Sequence, residues 1–324
     1  MRPRPVSLLL PLLALLGACN HDDVRAPHYY KRDADRAARA SATPPATVAG
    51  RGGTSSADTA FAPPELDAIP EGGFGDLVRK GHDIFTDTPT HAPEFVGNQL
   101  RCSNCHLDAG RLANSAPLWG AWVRYPAYRA KTQSVNSYAE RLQGCFMYSM
   151  DGKAPPLGHE VLAALEAYSF WMASGAPTGK TLPGAGYPKS KNAPNPPDFE
   201  RGAKVYAANC AICHGDDGLG QKAEGRYVFP PLWGPDSYNW GAGMHQLDNA
   251  AAFIRANMPL GRGGTLTEQD AWDVALFMNA HERPQDPRFT GDVAETRRRF
   301  HDDPNSPYGT VVNGQLLGSQ PARR

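Results

Sequence analysis

Apolar residues return every three or four positions in several stretches of this chain. Leu162, Leu165, Tyr168 and Met172 fall on one side of a segment from about His159 to Ser174, the spacing of a helix with one buried face. Trp272, Leu276 and Asn279 do the same within Glu268 to His281. There Thr267 stands as a helix cap, with Asp270 as the shorter analogue of a capping-box acid. A shorter helical stretch precedes each: Gly75 to Thr86, and Phe199 to Ala208. No segment reads as strand, so the pattern predicts a mainly α fold.

Proline breaks this pattern between Gly175 and Asp198, where Pro177, Pro183, Pro188, Pro194, Pro196 and Pro197 exclude a helix. On either side the order of parts is the same: a short helix, a cysteine-containing pentapeptide, a loop-rich middle and a closing amphipathic helix. From Asn20 to about Pro70 the chain is rich in Ala, Pro, Thr, Ser, Gly and Asp without a sustained period, the composition of a flexible tether. Such a coil reaches about 40 Å in root-mean-square terms.

The first residues read as an export signal: Arg2 and Arg4, then an apolar run from Val6 to Leu16 broken only by Ser7 and Pro11. The run is shorter than the about 20 residues that span a bilayer. It ends in Leu16-Gly17-Ala18-Cys19, which looks like a bacterial lipobox with Cys19 as the lipid anchor. The plainer reading is an ordinary signal peptide with a free Cys19. Asn20 in place of Asp suits sorting to the inner leaflet of an outer membrane, so the expected location is the periplasm, with membrane contact through lipid alone. Lys plus Arg and Asp plus Glu are 33 each, a formal charge of zero. That balance gives no basic tail for nucleic acid, and no nucleic-acid partner is expected.

The repeated pentapeptides are Cys102-Ser103-Asn104-Cys105-His106 and Cys210-Ala211-Ile212-Cys213-His214, both C-x-x-C-H. Two thiols at this spacing add to the vinyl groups of a haem, and the adjoining histidine then lies under the iron as proximal ligand. A chain of this composition would carry about 0.003 such matches by chance, so two are not accidental. Zinc would gather the cysteine pairs into one tetrahedral site, and a redox disulfide needs no fifth-position His. The sequence therefore predicts two covalent haems c in tandem cytochrome c-type domains. The expected boundaries are 1–19 for the signal, 20–70 for the tether, 71–176 for the first haem domain and 177–197 for the Pro-rich linker. The second haem domain then takes 198–284, and 285–324 is an extension packing on both.

Each iron also needs a distal ligand. In the second half Met258 ends a helical stretch before Pro259 and Gly261, 44 residues after His214, with Met244 as its rival. In the first half the candidates are Met147, Met150, Met172 and Cys145. Cys145 is the one cysteine of six left without a role, 39 residues after His106, and a lone thiol in an exported protein is usually reactive or ligating.

At these residues the chain resembles the dihaem thiosulfate dehydrogenases that form tetrathionate. The matching stretches are Leu100 to Arg111, Arg141-Leu142-Gln143-Gly144-Cys145-Phe146, Phe229 to Gly234, Asn257-Met258-Pro259-Leu260-Gly261 and His281 to Arg288. The resemblance implies that two thiosulfate ions couple to tetrathionate and that an external cytochrome, soluble or membrane-bound, takes the electrons. It implies that Cys145 is both distal ligand and catalytic sulfur, with Arg141, Lys131 and Arg129 as cations for the anionic substrate. Asn257 stands where some members place a Lys that exchanges with the methionine. Two other classes fit the motifs: an electron-transfer dihaem cytochrome without its own substrate, and a haem-thiolate subunit of a multi-protein sulfur-oxidation system.

Overall fold

The structure, a computed structural model, describes residues 61–188 and 192–322, and among these seven helices of seven or more residues carry it: α1 (Gly73–Thr86), α2 (Tyr138–Gly144), α3 (Glu160–Met172), α4 (Phe199–Asn209), α5 (Leu247–Asn257), α6 (Glu268–Asn279) and α7 (Val293–Phe300). The signal, Cys19 and residues 20–60 of the expected tether lie outside the described residues. The four helices anticipated from periodicity are α1, α3, α4 and α6, with ends displaced by one to two residues. Thr267 caps α6 by accepting from the Asp270 amide while the Asp270 carboxylate accepts from the Thr267 amide, which holds two of the donors that a helix start leaves open. Among the described residues no helix is long and apolar enough to cross a membrane.

The repeat is visible as two helix crossings. In the first half α1 packs on α3, and Gly81 lets the backbones meet: a Cβ there would lie 2.1 Å from the Ala164 carbonyl oxygen. In the second half α4 packs on α6, and a Cβ on Gly202 would lie 2.1 Å from the Asp273 carbonyl oxygen. Each crossing has its own apolar core. The first is built on Ile84, Trp119, Leu162, Leu165, Tyr168 and Met172, the second on Tyr206, Ala250, Ile254, Trp272, Val274 and Met278. The division is incomplete, because Tyr238 and Ala242 of the second half are buried in the first core.

The expectation of no strand is corrected by three antiparallel hairpins: β1 (Ala127–Arg129) with β2 (Ser134–Asn136), β3 (Gln221–Ala223) with β4 (Arg226–Phe229), and β5 (Val311–Val312) with β6 (Gln315–Leu316). Strands of two to four residues are too short for an alternating pattern to show. The last hairpin turns on Asn313 and Gly314, both at positive φ (47° and 77°), the pairing that two-residue hairpins favour.

The Pro-rich stretch forms no helix in its described residues, yet it is packed. Ala185 is buried, the Gly184 carbonyl accepts from Asn114 N (2.9 Å), and Tyr187 meets Phe253 edge-on at 5.6 Å. Residues 61–70 also lie on the first half, with Phe61 against Trp119 at 5.5 Å and the Pro64 carbonyl accepting from Arg111. The C-terminal segment buries Tyr308 and Leu317 against Trp240.

Candidate active site

Both C-x-x-C-H segments fold into the same tight turn. His106 N donates to Cys102 O (3.0 Å) and His214 N to Cys210 O (2.9 Å), which places two sulfurs and an imidazole on one side of each turn. The imidazoles are oriented alike: Nδ1 of His106 is 2.6 Å from Ala116 O, and Nδ1 of His214 is 2.9 Å from Pro230 O. Nδ1 must then carry the proton, leaving Nε2 with the lone pair that a metal requires. Burial pushes the His106 pKa down to about 4, outweighing the Ala116 hydrogen bond, and burial lowers that of His214 too, so both rings stay neutral near pH 7. None of the five described cysteines is paired in a disulfide.

Each turn opens on its own cavity. The first, about 840 Å³ of open space, is lined by Cys102, Cys105, His106, Arg141, Cys145 and Met150 among others. The second is lined by Cys210, Cys213, His214, Met258 and a largely apolar set including Val228, Phe253, Ile254 and Leu260. Two sulfurs, a neutral imidazole with a free Nε2 and a large apolar cavity are the donor set and space that haem c needs. Among the described residues no three His, Cys, Asp or Glu side chains gather as metal ligands, so the single zinc site considered above does not form.

On the distal side of the first cavity, Ser137 and Glu140 start α2 with a reciprocal capping box (Ser137 N to Glu140 Oε2 2.6 Å; Glu140 N to Ser137 Oγ 3.2 Å). At the end of α2 the chain widens into a π-helical turn, Cys145–Ser149, an irregularity common at functional sites. One helical turn separates Arg141 from Cys145, and Arg141 Nη1 donates to Cys145 Sγ at 2.8 Å. The charge of Cys145 raises the Arg141 pKa against the opposing effect of burial. Of the methionine rivals, Met150 lines this cavity, whereas Met147 is not among the lining residues and Met172 is buried in the core. Arg129 ends β1, Lys131 lies in the turn that leads to β2, and neither lines the cavity. Arg129 Nη1 donates to Tyr125 Oη at 3.2 Å, and burial and Arg141 lower its pKa. Lys131 as a residue is exposed, but its ammonium turns inward onto the Gly241 carbonyl, 3.3 Å from the centroid of the Tyr148 ring. Desolvation of that group, with Arg288 adding to it, lowers its pKa to about 7.

In the second half Met258 follows the last turn of α5 and lines the second cavity. Asn257 is committed elsewhere: its Nδ2 donates to Asn114 O and to Phe253 O, both at 3.1 Å, tying α5 to the first half. Met244, the rival ligand, lines both cavities, as do Leu100, Cys105 and Tyr238. This common wall went unseen in the sequence, since it joins residues far apart along the chain. The capping box at Ser137-Tyr138-Ala139-Glu140 also went unseen, although its S-x-x-E spacing is a readable signal.

Comparison with known proteins agrees with this geometry. Residues 197–278 match the family described as cytochrome c oxidase, cbb3-type, subunit III, and a cytochrome c-type domain implies haem c. The thiosulfate dehydrogenase of Thiomonas intermedia (strain K12) is 57% identical over 258 residues, covering 80% of this chain and 82% of that protein. That of Stutzerimonas stutzeri (strain A1501) is 54% identical over 270 residues, covering 83% and 88%. The "as isolated" form of the thiosulfate dehydrogenase TsdBA from Marichromatium purpuratum superposes with a TM-score of 0.79 at 52% identity. That alignment covers 82% of this chain and spans 59% of the longer TsdBA chain. Tandem cytochrome c geometry, a cysteine held by an arginine and these relatives converge on one assignment: the chain belongs to the thiosulfate dehydrogenase family.

Proposed function

We propose that this chain oxidises thiosulfate to tetrathionate, releasing two electrons through two covalently attached haems c to an external cytochrome. The observation that carries this reading is the 2.8 Å contact from Arg141 to Cys145 Sγ at the wall of a cavity shared with Cys102, Cys105 and His106. Cys102, Cys105 and His106 would hold one haem and Cys210, Cys213 and His214 the other, with Cys145 and Met258 as distal ligands. When bound, the haems supply the two one-electron acceptors that the chemistry requires.

The work of the chain's own groups follows from charge. A thiosulfate dianion is drawn toward Arg141, and its outer sulfur meets the Cys145 sulfur to which the same guanidinium donates, the cysteine reacting as its thiolate. Joining Cys145 to that sulfur gives a Cys-S-S-sulfonate and releases two electrons. A second thiosulfate then attacks the outer sulfur of the adduct. The new sulfur–sulfur bond completes tetrathionate, and the breaking bond returns its electron pair to Cys145 as thiolate, a thiol–disulfide exchange with an inorganic partner. A pure electron carrier would have no use for a cysteine paired with arginine at the cavity wall.

Export to the periplasm and lipid attachment at Cys19 are supported by the apolar run and by Leu16-Gly17-Ala18-Cys19. Electron exit at the second half is supported by its surface: Ile212, within the C-x-x-C-H turn, is 82% exposed, and Leu260 at the cavity rim is 64% exposed. The test is the purified holoprotein with thiosulfate and an artificial one-electron acceptor. One tetrathionate for every two thiosulfates consumed supports the proposal, and acceptor reduction without tetrathionate refutes it.

A further inference from the structure

The C-terminal segment brings a charged cluster to the back of the Cys145 turn that the chemistry above leaves unused. Arg288 is clamped by Asp286: its Nε donates to Oδ1 at 3.0 Å and its Nη2 to Oδ2 at 2.6 Å. Asp286 is buried and also faces His301 Nε2 at 2.9 Å, while His301 Nδ1 lies 3.2 Å from His245 Nε2, whose ring reaches Ser306 Oγ at 2.9 Å. Burial alone would raise the Asp286 pKa, but His301 and Arg288 outweigh it and keep the carboxylate ionised. The relay fixes the guanidinium from behind. The Arg288 Cζ lies 5.1 Å from the centroid of the Tyr148 ring, the ring that also holds the Lys131 ammonium, and Tyr148 belongs to the turn that begins at Cys145.

We infer that Arg288 and Lys131, gathered on Tyr148, form a second anion subsite that holds the sulfonate of the attacking thiosulfate. The inference rests on the thiosulfate reading above and names where the second ion sits. The Lys131 ammonium faces the guanidiniums of Arg288, Arg141 and Arg129, and Asp286 is the negative group among them. Three guanidiniums and an ammonium against one carboxylate make this region cationic, as an anionic substrate requires. Asp286 occupies Nε and Nη2 of Arg288, which leaves Nη1 to donate to a sulfonate oxygen. The geometry also answers a problem of the chemistry. Two dianions repel, and the second must present its outer sulfur to the adduct while its charged end stays away from Cys145. A cationic hold at Tyr148, three residues along the turn, is offset from Cys145 in that way.

The residue is reached from outside the haem repeat: Arg288 follows α6 and lies beyond the cytochrome-type match that ends at residue 278. The extension expected to pack on the domains thus also supplies a substrate-binding group.

The experiment compares the wild-type holoenzyme with Arg288→Gln and Arg288→Lys. Thiosulfate kinetics are run with an artificial acceptor, and inhibition by sulfate, an inert dianion, is measured alongside. Loss of one charged hydrogen bond to the substrate raises KM for thiosulfate and the sulfate inhibition constant by about tenfold or more in Arg288→Gln, with haem content and visible spectrum unchanged. Arg288→Lys recovers part of both. Unchanged constants overturn the inference, as does a loss that Lys does not ease and that comes with altered haem spectra, since that marks a purely structural role. If the wild type makes no tetrathionate, the functional reading fails instead. The subsite is then decided separately by calorimetric binding of sulfate to wild type and Arg288→Gln, equal affinities sinking it.

Discussion

On the proximal side the two halves are near copies. The cysteine turn, the histidine Nδ1 on a backbone carbonyl and the glycine-mediated helix crossing recur with almost the same distances. On the distal side they part. The first half ends α2 in a π-helical turn that begins at Cys145, whose sulfur accepts from Arg141, whereas the second offers Met258 among Phe253, Ile254 and Leu260. The repeat carries in both halves the groups that would attach a haem. What sets the halves apart is the polarity of the residues opposite the histidine. A hard, charged surround suits an anionic substrate and a thiolate, and an apolar surround with a thioether favours reduced iron and onward transfer.

That contrast can be broken most sharply by making the first half resemble the second. Cys145→Met is expected to keep two haems per chain, raise the potential of the first haem and cut tetrathionate formation by at least about a thousandfold, as removal of a nucleophile does. Haem counting, redox titration and product assay on one preparation check all three, and near-normal turnover would sink the covalent step. Arg141→Gln keeps the sulfur and removes its partner. The expected loss is about 10- to 100-fold in kcat/KM, the worth of a hydrogen bond to a charged group. Met258→Gly acts on the other side: the second haem's potential falls and turnover slows, while thiosulfate still reduces the first haem in a rapid-mixing experiment. Unchanged potentials would move the ligand to Met244.

A smaller effect is expected from pH. The Lys131 ammonium, faced by Arg288, Asp286, Arg141, Arg129 and the Tyr148 ring, is charged below about pH 7 and neutral above it. Binding of a dianion is therefore strongest on the acid side, and KM for thiosulfate rises severalfold from pH 6 to 8. Lys131→Arg, which stays protonated, flattens that rise. A profile identical in both proteins shows that Lys131 does not titrate in contact with substrate. The smallest effect belongs to Cys19→Ser, which is expected to change membrane association and leave solution turnover as it was. Mass spectrometry of the native amino terminus reads the modification directly.

Much of this contrast was legible before any coordinates. Cysteine spacing is a covalent requirement and shows directly in the chain, and the caps of α6 and the faces of α3 and α6 follow from local periodicity. Cys145 stood out by elimination and Arg141 one helical turn before it was readable as a neighbour, but the widened turn Cys145–Ser149 that follows was announced by no pattern. Arg129 and Lys131 were legible as nearby cations. That they lie beside the cavity rather than in its wall depends on the β1–β2 hairpin, three residues per strand. Asn313-Gly314 was a usable hairpin signal. Arg288 was present in the quoted His281 to Arg288 stretch, but its placement behind Tyr148 is a tertiary fact set by the relay from Asp286 to Ser306.

The wall common to both cavities bears on how such a chain can be inherited. Tyr238 sits in the first core, is bonded through its hydroxyl to Asn279 at 3.1 Å, and carries the buried Arg283 guanidinium 4.3 Å from its ring. A recombination between two relatives at the Pro-rich stretch would join one parent's Leu100 and Cys105 to the other's Tyr238 and Met244. The repeat looks divisible in one dimension, but its halves have to be exchanged as matched pairs. Chimaeras crossed at that stretch regain their parents' stability only when the 238–244 loop travels with the first half.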